Sequence, residues 1–184
     1  MASFDDIVLT GDQRLKTPCA EITEITPEIR ALAEKMLDDM YLANGWGLAA
    51  PQVGELVRMV VIDCDYAGKP SSKNPYVLVN PRIIVADGEE REFEEGCLSF
   101  PGISVIVSRP SHVIVEAEDL DGDTLRYEAS DNLMAVCLQH ELDHLDGKTM
   151  VDYLGPIERM RALSECRRAI EAGALPGQVG GDED

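Results

Sequence analysis

Apolar residues recur along this chain with two periods, and the switch between them marks out the architecture. Between positions 26 and 44, Ile29, Leu32, Ala33, Met36, Leu37 and Met40 fall at three- and four-residue steps, the spacing of one helix face. Thr26-Pro27-Glu28 suits a helix start: an N-cap hydroxyl, a proline where no N–H is needed, and an acid at the positive end of the helix dipole. Asn44-Gly45 suits its end. From 57 onward the pattern changes to runs rich in Val and Ile, at 57–63, 76–80, 83–85, 93–99, 103–107 and 113–118. Asp121-Gly122 is a turn before a return strand at 124–128. No helical pattern separates these runs, so antiparallel pairing is expected. The intervening 45–52 reads as a loop. Helical spacing returns at Leu133, Val136, Cys137, His140, Glu141 and His144, with Ser130 or Asp131 as cap and Gly147 as stop. A last helix is predicted at 156–172.

The fold class that follows is α+β: mixed, mainly antiparallel sheets around a central helix, with helices near both ends. No internal repeat or second core is visible, so 1–172 reads as a single catalytic domain. Residues 173–184 are rich in Gly and acids, and are expected to be a disordered tail. The formal net charge of -19 argues against a broad nucleic-acid or anionic-membrane surface. The cysteines, an odd five with no C-x-x-C pair, argue against a disulfide framework and for a reducing compartment. The opening residues are polar, and no apolar run approaches the ~20 residues of a membrane span. The expectation is a cytoplasmic monomer with no DNA and no membrane partner.

Chemistry concentrates in Gln139-His140-Glu141-Leu142-Asp143-His144. Two histidines four residues apart share a helix face, so both imidazoles can reach one ion. The Glu beside the first points toward a water on that ion. A catalytic site of this kind needs a third protein ligand. Residues 145–150 contain no His, and His112 is the only spare. The better candidate is Cys97, in Glu95-Gly96-Cys97-Leu98-Ser99. Gln139 and Asp143 are candidates either to support the ligating rings from behind or to serve structure. Leu133, Val136 and Cys137 lie on the helix before His140 and, with Phe93, could wall an apolar pocket; ordinary core packing accounts for the same pattern.

With Cys97 included, three blocks stand in order: Gly45-Trp46-Gly47-Leu48-Ala49-Ala50-Pro51-Gln52, Glu95 to Ser99, and Gln139 to His144. In that combination the chain resembles the peptide deformylases, which remove the formyl group from the initiator methionine of new polypeptides. The resemblance runs from about Val8 to the C-terminal helix. It implies one divalent metal ion held by Cys97, His140 and His144, natively Fe²⁺, with Zn²⁺, Ni²⁺ or Co²⁺ able to substitute. It implies Glu141 as general base and then general acid, while the ion lowers the pKa of a bound water toward ~7. Gln52 and the Leu98 backbone N–H would steady the oxyanion. The N-formylmethionyl peptide would pair as an extended strand with Trp46-Gly47 and Gly96.

Two positions depart from the family pattern: Trp46, where a small or aliphatic residue is usual, and Ser104, where many members carry a basic one. Arg109 matches a recurrent arginine and is expected to serve structure through an ion pair. Relatives can dock on ribosomes through the C-terminal helix, which here carries Arg159, Arg161, Arg167 and Arg168; those could touch RNA, while the rest of the chain would repel it. Two alternatives stand beside this reading. One is a zinc endopeptidase using the same H-E-x-x-H helix. The other is an inactive relative serving as a peptide- or ribosome-binding module.

Overall fold

The run Met59-Val60-Val61-Ile62 does not alternate, because the strand it forms is covered on both faces. Val60 and Ile62 pack with Leu138, Leu142 and Leu145 of the central helix. Met59 and Val61 pack with Ala33, Met36 and Met40 of the first helix. This computed structural model describes residues 2–179. In it a five-stranded sheet runs in the order β1-β2-β3-β4-β5, with β1 Gly47–Ala49, β2 Met59–Ile62, β3 Tyr76–Gly96, β4 Ser104–Glu118 and β5 Thr124–Ser130. Each neighbouring pair is antiparallel. The one parallel contact among the described residues is the isolated bridge Ala20–Val57. Helices α1 Pro27–Leu42, α2 Leu133–Leu145 and α3 Pro156–Glu171 complete the frame. No described helix is long and apolar enough to cross a membrane.

Several expected boundaries move, each for a physical reason. Gly47–Ala49, read as loop, is a strand, held in register by β2 rather than by any pattern of its own. The runs 76–80, 83–85 and the first part of 93–99 merge into β3, which stops at Gly96 before the turn that carries Cys97, and 103–107 and 113–118 merge into β4. The residues between them are polar because that arm of the β3–β4 hairpin is exposed on β3, and the pairing absorbs register shifts near Pro81, Ile84 and Gly88. In β4 the buried positions alternate without a break, but Arg109 and Ser111 occupy two of them in place of aliphatics. Asn132, not Ser130 or Asp131, caps α2: its side chain accepts from the Ala135 N–H at 2.9 Å, while Asp131 turns the chain at φ 54°. The tail expected to be disordered from 173 is described as far as Val179. The Gly102 N–H holds it by donating to the Gln178 carbonyl at 2.7 Å, and 180–184 lie outside the described residues.

The period of β4 explains the most consequential buried charge. Arg109 is 2% exposed. Its Nη2 donates to Glu95 Oε2 at 2.9 Å and its Nε to Glu95 Oε1, so β4 grips the end of β3 with two parallel bonds. Its Nη1 reaches Asp143 Oδ2 of α2 at 3.0 Å, and the Tyr153 hydroxyl donates to the same oxygen at 2.8 Å. This network ties β3, β4, α2 and the turn Met150–Tyr153 together. Arg109→Ala would strand the Glu95 carboxylate in a dry interior, so unfolding of the metal-loaded protein in urea should show a loss of about 3–5 kcal/mol. A loss below about 1 kcal/mol, the value of an exposed pair, would contradict this role for the network.

Candidate metal centre

Helix α2 is buried almost all round, at ten of its thirteen residues, so it sits inside the fold and carries polar side chains in with its apolar ones. His140 and His144, one turn apart, meet with ring centroids 5.1 Å apart. Cys97 follows directly on the end of β3 and closes the group: the ligand atoms of Cys97, His140 and His144 all lie within 4.8 Å of one another. His144 Nε2 stands 3.3 Å from Cys97 Sγ. A thiolate and two imidazoles within a few ångströms form a mixed sulfur–nitrogen donor set that suits a first-row divalent cation.

The charges around this cluster support that fit. His140 Nδ1 is 2.8 Å from Glu95 Oε2, which fixes the ring and leaves Nε2 as the ligand nitrogen. Burial by itself would lower the His140 pKa, but hydrogen bonds to Cys97 and Glu95 push it well above the usual histidine value. The acceptors that hold a proton there would also hold a cation. Burial, with His140 as a neighbouring positive charge, pushes His144 well below that value and keeps it the neutral imidazole that a metal needs.

Glu141 lies one residue past His140 and turns toward β1. A Cβ on Gly47 would stand 2.5 Å from Glu141 Oε1 and 2.8 Å from Cys137 Sγ, so only glycine lets the carboxylate lie against this strand. Glu141 Oε2 is buried without a hydrogen-bond partner among the described residues. Burial raises its pKa to about 7, where a carboxylate can both take and return a proton. Gln52 sits at the 3₁₀ turn Ala50–Val53 with its amide orientation fixed. Its Oε1 accepts from the Ala49 N–H at 2.9 Å, so Nε2 points to Cys97 Sγ at 3.4 Å and Ser99 Oγ at 3.2 Å. Among the described residues the Leu98 N–H has no protein acceptor.

A cleft of about 430 Å³ opens on these groups. Trp46, Gly47 and Gly96 line it, as do Leu133, Val136 and Cys137. The cluster thus gathers the predicted site residues with one exception. Phe93 pairs with Val107 lower on the hairpin and is not among the lining residues, because the cleft begins only at Glu94. His112 is remote from the cluster, between Asp87 and Glu128 on the outer sheet. Of the two roles open to Gln139 and Asp143, ring support or structure, both side chains take the structural one. Gln139 donates to the Pro110 and Ala135 carbonyls, and Asp143 serves Arg109 and Tyr153. The residue behind His140 is Glu95, whose sequence signal was an acid two positions before the ligand cysteine.

Comparison with known proteins gives one answer. The model of the polypeptide deformylase family matches residues 4–160. A peptide deformylase of Hydrogenovibrio crunogenus is 43% identical over 165 residues, covering 90% of this chain and 94% of the relative. One from Acinetobacter baumannii is 43% identical over 159 residues, covering 86% and 88%. The crystal structure of a peptide deformylase from Legionella pneumophila superposes with a TM-score of 0.84 at 40% identity, covering 90% of this chain and 95% of that one. A second, from Synechococcus elongatus in complex with actinonin, gives 0.82 at 38% identity, covering 90% and 89%. A buried Cys-His-His cluster beside an unpartnered glutamate, on a fold shared at this level of identity, places the chain in the peptide deformylase family.

Proposed function

We propose that this chain removes the formyl group from N-formylmethionyl peptides by hydrolysis, releasing formate and a free amino terminus. The observation that carries the reading is the unpartnered Glu141 oxygen between the Cys97–His140–His144 cluster and a Gly47-walled cleft. A divalent ion bound by those three residues would supply Lewis acidity and an acidified water. The chain's own groups do the rest. The Trp46-Gly47 and Gly96 edges flank the cleft, so an extended peptide can hydrogen-bond between them and bring its first carbonyl to the cluster. Glu141 takes a proton from the attacking water and returns one to the departing amine. Gln52 Nε2 and the Leu98 N–H donate to the oxygen on which negative charge develops. Leu133, Val136 and Cys137 offer the apolar wall for the methionine side chain. Trp46 stands at the rim, 49% exposed, with its indole N–H held by the Tyr66 carbonyl at 3.1 Å.

The endopeptidase alternative requires a carboxylate or a third histidine on the ion. Glu95, the acid in contact with His140, is already committed to Arg109 and to that ring. The inactive-module alternative requires a missing group, and Gln52, Cys97, His140, Glu141 and His144 all stand in the cluster.

Fe²⁺ is the proposed resident ion, with oxidation of metal and thiolate as its weakness. We read the chain as a cytoplasmic monomer, since one chain supplies every group of the site and its five cysteines are unpaired. Ribosome docking through α3 is supported by Ile157 and Met160, 63% and 65% exposed beside Arg159 and Arg161.

Protein purified without oxygen and supplied with Fe²⁺ should release formate from formyl-Met-Ala-Ser and leave acetyl-Met-Ala-Ser untouched. Absence of formate from protein shown to hold metal would refute the reading. Glu141→Gln should keep its metal while kcat falls about 10²–10⁴-fold; a kcat within threefold of the parent would remove Glu141 from proton transfer. Glu95→Gln should weaken metal affinity roughly 10–100-fold in a competitive chelator titration. Unaltered affinity would show that His140 needs no support from behind.

A further inference from the structure

The C-terminal segment lines the same cleft. Beyond α3 the chain turns at 173–174, with the Ala174 N–H donating to the Ala169 carbonyl at 2.9 Å. It then makes a second turn, in which the Gln178 N–H donates to the Leu175 carbonyl at 3.1 Å and Gln178 Oε1 accepts from the Leu175 N–H at 2.8 Å. Pro176 is buried beneath this turn. Gly177, at φ 86°, lies against the end of α1, where a Cβ would stand 2.0 Å from the Ala43 carbonyl oxygen. Next to it, the Gly102 N–H fixes the Gln178 carbonyl. With both sides of the turn held, Val179 is delivered to the mouth of the cleft. A Cβ at Gly96 would meet Val179 Cγ1 at 2.8 Å. Gly177 and Val179 are lining residues, together with Gly96, Leu98 and Ser104.

We propose that Val179, held by the Leu175–Gln178 turn, is a specificity-determining residue that narrows the peptide groove beside Gly96 and disfavours bulky side chains after the methionine. The inference rests on the peptide-deformylase reading, because it takes the Gly96 edge as the one along which the substrate runs. A peptide paired there must carry its next residues past Ser104 and the half-exposed Val179 side chain. The Ser104 hydroxyl is occupied, donating to Glu94 Oε1 at 2.6 Å, and Glu94 lines the cleft as well. The isopropyl group of Val179 is the apolar bulk that a large following residue meets on that side. A valine at a rim discriminates sterically by excluding volume, and the effect of one or two methyl groups at such a contact is a modest factor.

The test compares kcat/KM for formyl-Met-Trp-Ser with that for formyl-Met-Ala-Ser, in the full-length Fe²⁺-loaded protein and its Val179→Gly and Val179→Phe variants. The Trp/Ala ratio should rise roughly fivefold to tenfold in Val179→Gly and fall in Val179→Phe. A ratio constant within twofold across the three proteins would overturn the inference. So would equal gains on both peptides, which mark a segment that competes with substrate without selecting. Formate from neither peptide with the parent protein would instead overturn the proposed function, and this inference with it.

Discussion

One buried carboxylate holds this structure and its chemistry in the same place. Glu95 is 4% exposed and accepts from Arg109 on one side and faces His140 on the other. An ionised carboxylate in such a position is tolerable only with its oxygens occupied by charged or strongly polar donors. Burial raises the pKa of Glu95, but the Arg109 and His140 hydrogen bonds reverse that and hold it below the ordinary value. The residue two places on is Cys97, and the strand that presents both is gripped by Arg109 from β4. The position of the thiol is therefore tied to the orientation of the imidazole through a single side chain. A metal site assembled from two elements far apart in sequence needs a link of this kind, since neither element alone fixes the distance between its donors.

The second constraint is the helix. An amphipathic helix would lie on the sheet and leave its polar face in water. Helix α2 instead runs between β-structure on several sides, so His140 and Glu141 meet solvent only at the cleft and His144 is fully buried. That enclosure lowers the proton affinity of His144 and lifts Glu141 to about 7, while hydrogen bonds to Cys97 and Glu95 raise that of His140 against the effect of burial. The closeness of β1 completes the geometry: at Gly47 any side chain would displace the glutamate. Gln52 becomes a donor for the same kind of reason. Its carbonyl end is held by a backbone N–H, so its amine end must face the sulfur and whatever binds beside it.

Much of this was legible in the residues. Helix α1 and helix α2 were readable because three- to four-residue spacing is a local property, although the cap of α2 falls on Asn132 rather than on Ser130 or Asp131. The grouping of His140 and His144, with Glu141 beside them, was readable because the helix repeat brings the two histidines to one face. What the residues hid depends on distant partners. The three-residue β1 exists only because β2 supplies its register. The long β3 and β4 looked broken because their exposed arm is polar and because Arg109 takes an aliphatic's place in the buried row. Glu95 passed unassigned since the residue it serves lies 45 positions later. The placing of Phe93 in the pocket failed because membership depends on where along the hairpin the cleft begins. The turn before Val179 was invisible for a related reason: its Gly177 resembles a linker residue until Ala43 is seen to receive it and Gly102 to hold the Gln178 carbonyl.

The proposed chemistry requires Cys97 and the two α2 histidines to share one ion. X-ray absorption at the metal edge of the anaerobically loaded protein tests that directly. The predicted first shell holds one sulfur and two imidazole nitrogens, with the remaining scatterers light. A shell of nitrogen and oxygen alone would remove Cys97 from the centre and contradict the arrangement on which the rest depends.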